Sequence, residues 1–108
     1  MKLPTEIFGD VMVIHTPEEI SGDRAEELES FLVTQQSQNL VVDLDSTEAL
    51  DSRTLETFLN AQETLRQKGG NLKVSTHNFV NKKILEITRL DQHLEVFDSV
   101  IDAVKSYV

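Results

Sequence analysis

The chain has 108 residues, no cysteine and a formal net charge of −9. That length suits one compact domain, residues 1–108, that folds without a metal or disulfide staple. Thiolate chemistry is excluded, and the acidic balance argues against nucleic acid as the main partner. No apolar stretch approaches a membrane span and no leader pattern opens the chain, so a cytoplasmic protein is expected.

Met1 to Phe8 reads as a strand, with Pro4 near its start where a missing N–H matters least. Gly9-Asp10 is a hairpin turn, and Val11-Met12-Val13-Ile14 is the next strand. Thr16-Pro17-Glu18-Glu19 has the form of a capping box, but Ser21-Gly22 interrupts it, so 17–20 is a single turn or a loop. From Arg24 to about Gln36, Ala25, Leu28, Phe31, Leu32 and Gln35 share one helical face. The apolar run Leu40-Val41-Val42-Asp43-Leu44 fits a central strand covered on both sides.

Arg53 to Lys68 is the clearest helix. Leu55, Phe58, Leu59, Gln62 and Leu65 follow helical spacing, and Gly69-Gly70 stops it. Leu72-Lys73-Val74 is a strand, and Asn78 stands as cap of a helix from Phe79 to Arg89. Leu94 to Phe97 suits a short edge strand, and Ser99 opens a last helix. The order ββαβαβαβα predicts an α/β fold, with a mixed sheet of four to five strands and about four helices.

Charge is unevenly placed. Residues 1–52 hold 12 acidic side chains against Lys2 and Arg24, whereas residues 53–108 hold 7 acidic against 8 basic. The plain reading is a solvated acidic surface; the functional one is steering toward a basic protein partner. His15, His77 and His93 are far apart and lack ligand spacing, so no metal site is expected. Ser52 has no nucleophile elbow around it, and Gly69-Gly70 follows a helix rather than opening one, so neither hydrolysis nor phosphate cradling is indicated.

Asp51-Ser52 stands where a strand passes into a helix. A side chain there is a helix cap, a reactive group on display, or both. Either Asp51 or Ser52 can be the cap. A phosphate on a serine at a helix start is favoured by the helix dipole and adds about −2 charge, enough to spoil a packed interface.

Three segments together resemble the STAS domain, the fold of bacterial anti-sigma-factor antagonists that is also appended to sulfate transporters. They are Val41-Val42-Asp43-Leu44 followed by Asp51-Ser52 and Leu55; Leu65-Arg66-Gln67-Lys68-Gly69-Gly70-Asn71-Leu72-Lys73-Val74; and Ile84-Leu85-Glu86-Ile87-Thr88-Arg89-Leu90-Asp91 followed by Val96-Phe97-Asp98-Ser99. The resemblance covers nearly the whole chain. It implies a regulatory binding protein without catalysis or cofactor. It places the phosphoacceptor at Ser52, modified by an anti-sigma factor that is also a serine kinase and reset by a phosphatase. Asp51, Arg53, Thr54, Ser21 and Glu19 would form the switch surface, and a dimer is possible.

The chain departs from the family pattern at three places. Arg53-Thr54 replaces the Ser/Thr-Gly after the acceptor, Arg89 replaces a glycine, and Glu18-Glu19-Ile20-Ser21 replaces the Gly-x-x-Asp loop before the first helix. Arg53 could pair with Asp51 or with a phosphate on Ser52. Other readings are a phosphorylation-independent scaffold or transport-system partner and, as a third class, a small enzyme or nucleotide-binding protein.

Overall fold

The computed structural model describes residues 1–20, 22–48 and 50–108. Among them five strands form one mixed sheet in chain order: β1 (Thr5–Phe8), β2 (Val11–His15), β3 (Asn39–Asp43), β4 (Asn71–Ser75) and β5 (Val96–Phe97). β1 and β2 are an antiparallel hairpin; every later pair is parallel. The helices are α1 (Ala25–Val33), α2 (Ser52–Gln67), α3 (Phe79–Ile87) and α4 (Val100–Lys105), with 3-10 turns at Gly22–Arg24 and Leu90–Gln92. The expected fold class is the one observed.

Alternation along each central strand sorts its side chains between two layers. Met12 and Ile14, Leu40 and Val42, and Leu72 and Val74 meet Leu28, Leu32, Phe58, Leu65 and Leu85 from α1, α2 and α3. Val11, Val13 and Val41 meet α4 at Ala103. Covering on both sides explains the unbroken apolar run that marked β3. Lys73 also lies on the α4 side, 6% exposed. Its ammonium donates to Ser106 Oγ (2.8 Å), pairs with Glu95 (3.0 Å) and sits 4.1 Å above the Tyr107 ring. The Tyr107 hydroxyl donates to the carbonyls of Leu40 (2.7 Å) and Asn71 (3.0 Å), tying α4 to β3 and β4.

Several boundaries differ from the sequence expectation. β1 begins at Thr5 rather than Met1. α1 is entered through the 3-10 turn and ends at Val33, not Gln36, because the Thr34 hydroxyl donates back to Ser30 O (2.7 Å) and the Gln35 side-chain Nε2 to Phe31 O (2.8 Å). α3 stops at Ile87, two residues early, and Arg89 takes a left-handed conformation (φ 62°). That is the position where the family pattern has glycine, the residue such a backbone favours. At Gly70 the reason for glycine is space: a Cβ there would lie 2.1 Å from Gln38 O.

Candidate functional site: the Asp51-Ser52 helix start

β2 and β3 end together, His15 opposite Asp43, and the loops that follow run side by side. The Glu48 amide donates to Glu18 O (2.9 Å), joining the loop after β2 to the loop after β3. Beneath them is a buried polar network. Thr16 Oγ1 donates to Asp43 O (2.9 Å), its oxygen lies 2.6 Å from Thr47 Oγ1, and the Thr47 hydroxyl reaches Pro17 O (2.6 Å). Asn81, from the first turns of α3, donates through Nδ2 to Leu44 O (3.2 Å) and Thr47 O (2.8 Å). Three elements therefore fix the loop that leads to Asp51-Ser52.

Asp51 is the N-cap of α2. Its Oδ1 accepts from the Thr54 amide (2.8 Å) and its carbonyl from the Leu55 amide (3.1 Å). Of the two candidate caps, the sequence left the choice open, and the backbone settles it on Asp51. The other carboxylate oxygen faces Gly22, where a Cβ would sit 2.7 Å from Oδ2. One carboxylate thus joins the start of α2 to the turn that starts α1. The Thr54 amide and side chain, then the Gly22 amide and the Arg53 charge, hold the Asp51 carboxyl below the usual carboxylate range.

A depressed folded value adds stability that is present above the ordinary carboxylate value and lost as pH falls through the lower, folded one. Asp51→Ala is expected to lose about 1 kcal/mol at neutral pH, as for other N-cap deletions. The gap to the parent should shrink at acid pH, below the ordinary carboxylate value, as the parent cap protonates. Urea titrations of both proteins at the two pH values check this; an equal gap at both would mean the charge on the cap does not matter.

Ser52 is the first helical residue. It is exposed, and its hydroxyl makes no hydrogen bond among the described residues. Arg53 is exposed as well and has no ion pair among the described residues; it reaches Asp51 through charge rather than contact. Its side chain borders a shallow groove between α1 and α2 that also carries Glu26, Glu29 and Glu56. Glu19 is exposed on the loop after β2, beside Ile20 and Arg24. Thr54 is fully buried (0% exposed), so it faces the core and not the surface assigned to it. Ser21, assigned to the same surface, lies outside the described residues.

The STAS domain model matches residues 2–103. The chain belongs to the STAS domain family. Among solved structures, this STAS chain is similar to a putative anti-sigma factor antagonist of Thermotoga maritima (19% identity, TM-score 0.86, covering 96% of this chain and 92% of that one). It is also similar to an anti-sigma factor antagonist of Mycobacterium paratuberculosis (24% identity, TM-score 0.83, covering 97% and 92%). A third likeness is to a chain from the molecular architecture of the stressosome, a signal integration and transduction hub (16% identity, TM-score 0.70, covering 95% and 94%). Identities this low speak for the fold. No curated protein matches the chain at a significant level.

Sequence reasoning missed the cluster His15, Asp43 and Glu6 at the strand ends. His15 Nδ1 lies 2.8 Å from Asp43 Oδ2 and its Nε2 lies 2.5 Å from Glu6 Oε1. The signal available was that His15 and Asp43 each end a strand of the same sheet. Among the described residues, no group of His, Asp and Glu is arranged to hold a metal ion, and no helix is long and apolar enough to cross a membrane.

Proposed function

We propose that this STAS domain is a cytoplasmic regulatory binding module of the anti-sigma-factor-antagonist type, switched by phosphorylation of Ser52. The observation that carries the reading is the Ser52 hydroxyl: exposed, without a hydrogen bond among the described residues, and first in a 16-residue helix whose entering loop is pinned from below. A kinase can take that hydroxyl without breaking any hydrogen bond among the described residues. The phosphate would lie over the unpaired amides of the first turn, with Arg53 alongside. It would also bring about −2 charge next to the Asp51 carboxylate and change the face a partner must meet. The partners are an anti-sigma factor with serine kinase activity and a phosphatase that resets the switch. Thr54, being buried, is not an acceptor in this reading.

The test is to incubate the protein with serine kinases of the anti-sigma type encoded in the same genome, supply ATP, and map the product. One phosphate on Ser52, and none on Ser52→Ala, is expected. Because the hydroxyl is unbonded, Ser52→Ala should fold within about 0.5 kcal/mol of the parent. Phosphate elsewhere, with Ser52→Ala still modified, would sink the assignment. The likeness to a stressosome chain favours a second reading, a scaffold subunit whose contacts ignore phosphorylation. It requires Ser52→Asp to bind its partner as the parent does; the switch requires that binding be lost.

A further inference from the structure

His15 ends β2 between two carboxylates, one from each neighbouring strand. Glu6 reaches it from β1 and Asp43 from β3. Both carboxylate contacts are short, and a carboxylate accepts but does not donate. An imidazole offers two N–H groups only when it is charged, so both contacts are satisfied together only by the imidazolium. We propose that Glu6, His15 and Asp43 form a proton-operated clamp across the strand ends, closed when the ring carries both protons and released from Glu6 when it loses one.

The direction of release follows from the two carboxylates. Asp43 has a side chain 13% exposed and already accepts the Asp45 amide through Oδ1 (3.0 Å). Glu6 is 55% exposed and can turn to water. A neutral ring with one N–H keeps Asp43 and drops Glu6. Other charged groups near the cluster do not substitute for the proton. Asp45, on the loop after β3, turns its carboxylate to the His77 amide (2.6 Å). α4, on the same side of the sheet, carries Asp102 and Lys105, and neither pairs with His15. No lysine or arginine among the described residues pairs with Glu6 or Asp43.

Glu6 is the one side chain of β1 with a polar tie to the sheet among the described residues, and all four residues of β1 are exposed. The clamp therefore acts on the edge of the sheet. Burial lowers the affinity of His15 for its second proton, but the hydrogen bonds to Glu6 and then Asp43 outweigh it, so the ring titrates above the usual imidazole range. The stabilisation is full below the ordinary imidazole value and is lost as pH rises through the higher, folded one.

The experiment follows the His15 ring signals by NMR from about pH 5 to about pH 9, together with amide exchange in β1 corrected for intrinsic rates. In the parent, the His15 midpoint should lie above the free imidazole value, and exchange at residues 5–8 should rise severalfold across that midpoint. In Glu6→Gln the midpoint should fall. In His15→Gln the exchange step should vanish while the rest of the sheet keeps its protection. A parent midpoint at or below the free value, or one unmoved in Glu6→Gln, overturns the clamp, as does a β1 exchange step that survives in His15→Gln. The parent titration needs no variant to fold, and none of these readouts depends on Ser52 being an acceptor.

Discussion

Phe58→Ala is expected to lower stability by about 3–5 kcal/mol, the range for emptying a buried aromatic site. Phe58 is 0% exposed and sits midway along α2, between the Leu55 and Leu65 turns and against the sheet. The cavity would open where α1, α2 and the sheet meet, and none of those elements can collapse into it without leaving its own register. A domain of this size has only about 5–15 kcal/mol in total, so the variant should unfold at much lower urea and melt at least about 10 °C lower. Ile87→Ala is the control. Ile87 is an apolar side chain 75% exposed, and its loss should change stability by no more than about 0.5 kcal/mol. Similar urea midpoints for the two variants would show that Phe58 is not part of the core.

Asn81→Ala is the second. Asn81 is 0% exposed, and its amide nitrogen serves two loop carbonyls. Leu44 O keeps a donor in the Thr47 amide (3.0 Å) when Asn81 is cut back. The Thr47 carbonyl loses its side-chain donor in a buried place, which costs about 1–3 kcal/mol, and the cavity adds to it. Asn81→Asp should be worse, because it turns a carboxylate toward two carbonyl oxygens. The effect has a local signature. Amides of residues 44–48 should lose protection before the centre of the sheet does, since this loop is pinned mainly by side chains. A loop that stays protected in Asn81→Ala would mean that Thr16 and Thr47 hold it without help. Because the same loop delivers Asp51 to the start of α2, Asn81→Ala should also weaken whatever docks there.

The parts of this fold that were legible in the sequence are those written in periodicity and punctuation. α2 could be placed because an apolar stripe from Leu55 to Leu65 runs into Gly69-Gly70, and β3 because its residues are apolar on both sides. The ends were harder, since they are decided by single side-chain hydrogen bonds such as Thr34 to Ser30 O. At the candidate site, Ser52 was visible from its place after a strand, but the choice between two adjacent caps needed the backbone. Thr54 was assigned to the surface because it stands two residues after Ser52, where the family pattern departs. Its burial was written in spacing instead: it lies four residues before Phe58 and seven before Ala61, on the same helical face. The His15 cluster and the Thr16, Thr47 and Asn81 network escaped for a different reason. Their hydrogen-bonded partners are 9 to 37 residues apart; the strand register brings the first together, and the seating of α3 beside the strand-end loops brings the second.

The sheet is laid down in the order of the chain, each strand beside the one before it. A ribosome delivers residues in that same order, so each strand emerges onto an edge that the preceding stretch has already prepared, and no strand waits for a distant partner. The exception is Tyr107. Its hydroxyl closes on carbonyls of β3 and β4, 67 and 36 residues upstream. Synthesis therefore builds the sheet progressively but fastens its second face last, and until Tyr107 is free to reach back, Val11, Val13 and Val41 remain open to other surfaces.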